Sequence, residues 1–134
     1  MVSESQRLNQ ALPPCTRVLV VDDDVDTLAT VEEVLGFEGV AQVRRARSVA
    51  EAEEILGSGF LPEAVVLDLA LGGERGEVLL EKLGADAALA TVPVLAVSGD
   101  HRALASIRSA VARTLLKPAR PPELVDALRD VCQA

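Results

Sequence analysis

Aromatic residues are nearly missing from this chain: 134 residues carry two Phe and neither Tyr nor Trp. Stacking on bases or sugar rings therefore has almost no material, and a packed interior has to come from Leu, Val, Ile and Ala. Cysteine is scarce too, with Cys15 and Cys132 near opposite ends and no CxxC or Cys/His grouping. That excludes a zinc site or a redox motif by spacing, and the expectation is two reduced cytosolic thiols. No apolar run approaches the roughly 18 residues of a membrane span, and residues 1–14 (MVSESQRLNQALPP) lack a basic-then-apolar leader pattern. Positive charge is the minority sign: 13 Lys and Arg against 21 Asp and Glu, a formal net charge of −8. Nucleic acid is bound through clustered Lys and Arg, so direct nucleic-acid binding is not expected, nor is a membrane partner. The expectation is a cytoplasmic protein whose acidic site holds a cation or whose partner is cationic.

What is present is ordinary globular material, 49% apolar and 25% charged, of a length that suits one domain with a real core. Residues 1–14 are polar, end in Pro13-Pro14 and read as a flexible tail or linker; 15–134 read as the domain. The informative stretch is 64–71, AVVLDLAL, one acid in an apolar run that stops at Gly72-Gly73. Such a run reads as a strand buried on both faces, where an unpaired carboxylate costs several kcal/mol. Asp68 is therefore emerging into a polar crevice, protonated or paired; the glycines that follow favour the first.

The rest of the chain alternates strand and helix. TRVLVV (16–21) runs into Asp22-Asp23-Asp24, and Leu28, Val31 and Leu35 recur at helical spacing over about 25–37. Residues 40–46 form a second strand, with Arg44, Arg45 and Arg47 marking a sheet edge. Ser48 with Glu51 reads as a capping box opening a second helix that ends at Gly57-Ser58-Gly59. Beyond the Asp68 strand, a third helix runs through Val78, Leu79 and Leu83 to Gly84; Val94–Val97 is a fourth strand ending in Ser98. A fourth helix is expected from the stripe Ala103, Leu104, Ile107, Ala110 and Val111, with His101 solvated in its first turn. Residues 114–116 form a fifth strand before Lys117-Pro118. A last helix carries Leu124, Val125, Leu128 and Val131 inward, with Pro122 in its first turn and Pro121 just before it.

Strands joined through helices are parallel, so all their carboxyl ends lie on the one edge where open α/β folds bind ligands. Asp22 and Asp23, Asp68, Ser98 and Lys117 each end a different strand and converge there. Clustered carboxylates repel, so they raise a pKa or hold a cation, and an all-oxygen donor set favours a hard ion, Mg²⁺ or one similar to it, such as Mn²⁺. An ammonium, a hydroxyl and a metal around one carboxylate suit phosphoryl transfer with that carboxylate as nucleophile.

In VLVVDD (18–23), VVLDLAL (65–71), VLAVSG (94–99) and LLKP (115–118), taken in that order, the chain resembles the receiver domain of two-component response regulators. The resemblance implies a doubly wound, flavodoxin-like (βα)5 fold with a five-stranded parallel sheet; the strand order 2-1-3-4-5 comes with it. It also implies that Asp68 takes a phosphoryl group from a sensor histidine kinase or a phosphotransfer protein. Asp22, Asp23, Asp68 and the backbone carbonyl of Ala70 would hold Mg²⁺, Ser98 and Lys117 would engage the phosphoryl group, and Pro118 would follow a cis peptide. The chain would be a signalling switch and not an enzyme, acting on an unknown downstream target or through an output domain absent from this sequence. It departs from the family at Thr114, where Tyr or Phe is usual, at Gly99 in place of Ala, at Gly72 in place of Pro and at Ala119 in place of Phe. Thr114 excludes readout by an aromatic rotamer. Asp100 reads as an N-cap or as an influence on acyl-phosphate hydrolysis.

Two other functions compete. One is a degenerate receiver that only docks proteins. The other is an aspartate-nucleophile phosphatase of the haloacid dehalogenase type, which needs an acidic metal motif after the lysine; here only a helix follows Lys117.

Overall fold

The structure, a computed structural model, describes residues 15–133; the proposed tail at 1–14 lies outside the described residues. Five parallel strands form the sheet: β1 (Arg17–Val21), β2 (Gln42–Ala46), β3 (Ala64–Asp68), β4 (Val94–Ser98) and β5 (Arg113–Leu116). Helices α1 (Val25–Phe37), α2 (Val49–Gly57), α3 (Glu77–Ala85), α4 (His101–Ile107) and α5 (Pro121–Gln133) alternate with them. The strands lie in the order 2-1-3-4-5, each neighbouring pair parallel, as expected for the doubly wound fold. The Arg-rich β2 is an edge strand, as its charges imply.

Successive residues of a strand face opposite sides, and both sides here are covered. Val18, Val20, Val66, Leu95 and Val97 pack with Leu28, Leu35, Val125 and Leu128 of α1 and α5. Leu19, Val21, Val65, Leu67 and Ala96 pack with Leu79, Leu83 and Leu104 of α3 and α4 and with Ala52 of α2. This two-sided burial is why β1, β3 and β4 read as unbroken apolar runs. With so few aromatics, aliphatic contact carries the core. Phe60 is buried beneath the Arg44 guanidinium, while Phe37, at the end of α1, is 84% exposed.

Four details differ from the sequence expectation. Helix α4 stops at Ile107, and Arg108–Ala110 continue as a 3-10 turn. Val111 is extended and the Ala112 N–H donates to the Val94 carbonyl, so the approach to β5 claims residues whose spacing alone continues the helix. Helix α5 begins at Pro121, not after it. The Ser48 box is shifted: Ser48 Oγ accepts from Glu51 N–H as expected, but the Glu51 carboxylate accepts from the N–H of Arg47 at 2.5 Å. Finally, residues 70–75, taken as strand end and break, fold back as a small antiparallel hairpin of Ala70–Leu71 and Glu74–Arg75.

The reduced-thiol expectation is overturned as well. Cys15 and Cys132 form a disulfide with their Cα atoms 5.7 Å apart, although 117 positions separate them in sequence. The spacing test fails because the last turn of α5 packs beside the start of β1, so the topology joins what the sequence keeps apart. In the chain-entropy account a cross-link closing a loop of this length restricts the unfolded chain by about 4–5 kcal/mol.

Leu35 is fully buried between α1 and the sheet. Replacing it with Ala removes contacts that the surrounding helices cannot restore, so Leu35→Ala is expected to lower unfolding free energy by roughly 2–5 kcal/mol in urea titrations, with an unchanged m-value.

Candidate functional site

The carboxyl ends of β1, β3, β4 and β5 bring the expected groups together. Asp22 and Asp68 are each 5% exposed, and Asp23 is exposed at the rim. One carboxylate oxygen from each of these three lies within 4.8 Å of those of the other two. Lys117 reaches into the cluster, with Nζ 2.7 Å from Asp68 Oδ2 and 3.4 Å from Asp22 Oδ2. So Asp68 combines two of the options open to a strand acid: it ends the strand and it is paired.

The backbone orients each acid. Asp22 Oδ1 accepts from Asp24 N–H at 2.9 Å, and Asp68 Oδ1 accepts from Ala70 N–H at the same distance. Asp24 turns away to cap α1, its Oδ1 accepting from Asp26 N–H while Thr27 Oγ1 donates to Oδ2 at 2.8 Å. Those bonds, the Thr27 hydroxyl first, hold the Asp24 carboxyl below the usual aspartate range. The triplet Asp22-Asp23-Asp24 thus divides into a buried site acid, a rim site acid and a helix cap.

Ser98 is buried at the end of β4, where its Oγ accepts from Asp100 N–H at 3.0 Å; among the described residues the hydroxyl donates to none. The Lys117 N–H donates to the Ser98 carbonyl at 2.8 Å, and the Lys117–Pro118 peptide is cis, as the resemblance implied. Asp100 takes the N-cap role, accepting from the N–H groups of Arg102 and Ala103, and His101 is exposed in the first turn of α4.

Burial pushes the Asp22 carboxyl above the usual aspartate range; repulsion from Asp68 adds to this, and the Asp24 N–H and the Lys117 ammonium oppose it. Burial works against the Lys117 ammonium, yet the hydrogen bond to Asp68 and the charges of both acids outweigh it and raise its pKa above the usual lysine value. Two carboxylates and a third at the rim face one ammonium, so the site is short of positive charge. A hard, oxygen-seeking cation fits that donor set. Beneath the ion pair lies an apolar cavity of about 260 Å³, walled by Val20, Val66, Val97 and Leu115 and reaching Ala119. Such surroundings weaken screening around the charges.

One glycine and one acid escaped the sequence reading, and a second glycine was read there only as a strand stop and a family departure. A Cβ on Gly76 would lie 2.5 Å from the Asp68 carbonyl oxygen, and one on Gly72, whose φ is +57°, would lie 3.0 Å from Asp23 Oδ2. Only Gly lets the hairpin fold this closely over the site. Glu74 Oε1 accepts from Val49 N–H at 2.9 Å, so the hairpin also caps α2. Gly72 was visible as a strand stop; Gly76 and Glu74 carried no local signal, because their partners are distant in sequence.

A five-stranded parallel sheet with an acid cluster, a serine and a lysine at its carboxyl edge defines a flavodoxin-like signalling domain. The response regulator receiver domain model matches residues 18–129. The chain belongs to that family. It is 34% identical to a protein assigned as a response regulator in Chloroflexus aurantiacus, covering 90% of this chain and 99% of that one with a TM-score of 0.77. A CheY-like receiver domain from Methylobacillus flagellatus is 26% identical over 87% of this chain and 98% of its own, with a TM-score of 0.76. A sensor protein from Polaromonas sp. JS666 shares the fold at 24% identity, 87% and 95% coverage and a TM-score of 0.78. No curated protein matches the chain.

Because folding raises the Asp22 pKa, the folded chain binds that proton more tightly than the unfolded chain does. The resulting stabilisation is full below the ordinary value of 3.8 and is lost as pH rises through the elevated folded value. At neutral pH and without divalent metal, Asp22→Asn is therefore expected to raise the thermal midpoint in calorimetric melts. The gain should vanish when the melts are repeated near pH 3.

Proposed function

We propose that this chain is a phospho-accepting receiver domain, with Asp68 taking a phosphoryl group from the phosphohistidine of a sensor histidine kinase or phosphotransfer protein. The observation that carries the reading is Asp68 itself: a nearly buried carboxylate at a strand end, held 2.7 Å from a lysine ammonium and grouped with Asp22 and Asp23. A carboxylate oxygen of Asp68 forms the new O–P bond as the N–P bond of the donor breaks, and the departing imidazole takes up a proton. Lys117 sits where its ammonium meets the transferred oxygens, and the uncommitted proton of Ser98 Oγ supplies a second donor.

Asp22, Asp23 and Asp68 are the side chains suited to Mg²⁺ or Mn²⁺, with the Ala70 carbonyl, two residues beyond Asp68 in the hairpin, as a further oxygen. The ion supplies charge neutralisation for the incoming phosphoryl group. Phosphorylation adds about −1.5 to −2 charges at neutral pH. Drawing Ser98 and Lys117 toward that charge moves two loops joined by the Lys117 N–H to Ser98 carbonyl bond. That displacement is the switch. Thr114, half-buried on β5, offers no ring to report it.

Kinase, phosphoacceptor and downstream protein all belong to the cytoplasm in this reading, and no helix among the described residues is long and apolar enough to cross a membrane. A docking-only receiver would not need a lysine committed to Asp68, and a phosphatase of the dehalogenase type would need an acidic metal motif where α5 stands.

Incubation with Mg²⁺ and acetyl phosphate or phosphoramidate, followed by intact-mass measurement, is expected to give one phosphoryl adduct that Asp68→Ala abolishes. No adduct from either donor would overturn the phosphoacceptor reading in favour of a docking module. Mg²⁺ at a hundredfold its Kd should stabilise the unphosphorylated chain by about 2.7 kcal/mol, and Asp23→Asn should remove most of that gain. Calorimetry with and without chelator measures both.

A further inference from the structure

The cysteine pair lies outside the phosphorylation chemistry. Cys15 is buried against the α1 and α5 side of the core, whereas Cys132, one residue from the end of α5, is only partly buried. The Cα separation of 5.7 Å is ordinary for a disulfide, so the backbone already holds the two sulfurs at bonding distance. With no other cysteine in the chain, no competing intramolecular pairing exists.

The helix that carries Cys132 has anchors independent of sulfur. Leu124, Val125, Leu128 and Val131 are buried in the core. Arg129 pairs with Glu38 at 2.6 Å, and Asp130 pairs with Arg113 of β5. Breaking the cross-link therefore leaves α5 docked, and the fold can exist with the pair open or closed. The location proposed for the domain is one where low-molecular-weight thiols keep protein thiols reduced, so a closed pair there is conditional.

We infer that Cys15 and Cys132 form a reversible thiol–disulfide site, oxidised by low-molecular-weight disulfides of the glutathione class and entered through Cys132. In the first step the Cys132 thiolate attacks the oxidant, forming a mixed disulfide and releasing one thiolate. In the second, the Cys15 thiolate attacks the Cys132 sulfur, closing the protein disulfide and releasing the second thiolate. Two protein thiols are oxidised and one disulfide is reduced to two thiols. The closed state ties the last turn of α5 to the chain entering β1; the open state leaves that turn held by its ion pairs and apolar contacts alone. The oxidation chemistry itself does not depend on the phosphoacceptor reading.

The test equilibrates the full chain in glutathione buffers from fully reduced to fully oxidised, traps free thiols by alkylation and counts adducts by intact mass. Two adducts in reduced glutathione and none in oxidised glutathione, with a mixed disulfide at Cys132 accumulating in Cys15→Ser, is the expected result. The reduced chain should remain folded, with a lower thermal midpoint and faster amide exchange over 129–133. Phosphoryl labelling at Asp68 serves as a separate readout of the phosphoacceptor reading and should be the same in both states. A pair that stays closed in reduced glutathione would mark a permanent cross-link, and one that stays open in oxidised glutathione would mark no site; either overturns the inference. Identical midpoints for oxidised chain, reduced chain and the Cys15→Ala/Cys132→Ala double variant would equally overturn it.

Discussion

One ammonium between two buried carboxylates is the constraint on which the rest of the structure rests. Asp22 and Asp68 end adjacent strands, β1 and β3, and burying both charges is unfavourable unless a cation joins them. The lysine that does so comes from β5, which is separated from β3 by β4. Lys117 must therefore reach across the end of β4, and its N–H to the Ser98 carbonyl bond fixes the chain where that reach begins. Strand order, the Ser98 loop and the Lys117–Pro118 turn all serve this one contact.

The same contact explains why the site is incomplete. Lys117 lies nearer to Asp68 than to Asp22, and the Asp22 carboxyl remains above its usual range. Asp23 adds negative charge at the rim and has no lysine of its own among these contacts. The edge thus carries more acid than base, a donor set that suits a hard cation. The hairpin over the site is tied to Asp68 at one end and to α2 at the other. It leaves Asp68 through the Ala70 N–H, closes on the Asp68 backbone at Gly76, and ends on the N-terminus of α2 through Glu74.

The sequence made the fold legible wherever local pattern and tertiary demand agree. Continuous apolar runs at β1, β3 and β4 are possible only with both sheet faces covered, and the structure covers both. The site was legible because strand-end residues of a parallel sheet share an edge, so Asp22, Asp68, Ser98 and Lys117 could be grouped without knowing a distance. Features set by remote partners were not. The stripe through Ala110 and Val111 fits a helix as well as it fits a 3-10 turn feeding β5, and only the Ala112 bond to Val94 decides between them. Gly76 matters because of a carbonyl eight residues earlier, and nothing around it announces that.

The disulfide belongs to this last kind and shows its limit most clearly. Cysteine spacing is informative when both sulfurs sit in one local motif; here they occupy the first and last parts of the described chain. What joins them is the handedness and order of the whole sheet, which returns α5 beside the start of β1. Parallel strands also place that start at the amino end of the sheet, opposite the edge that carries Asp68. The cysteines and Asp68 therefore lie at opposite ends of the sheet, beside the start of β1 and at the end of β3. The layers between them are aliphatic and close-packed. The proposed thiol chemistry and the proposed phosphoryl chemistry would thus be kept a full strand length apart.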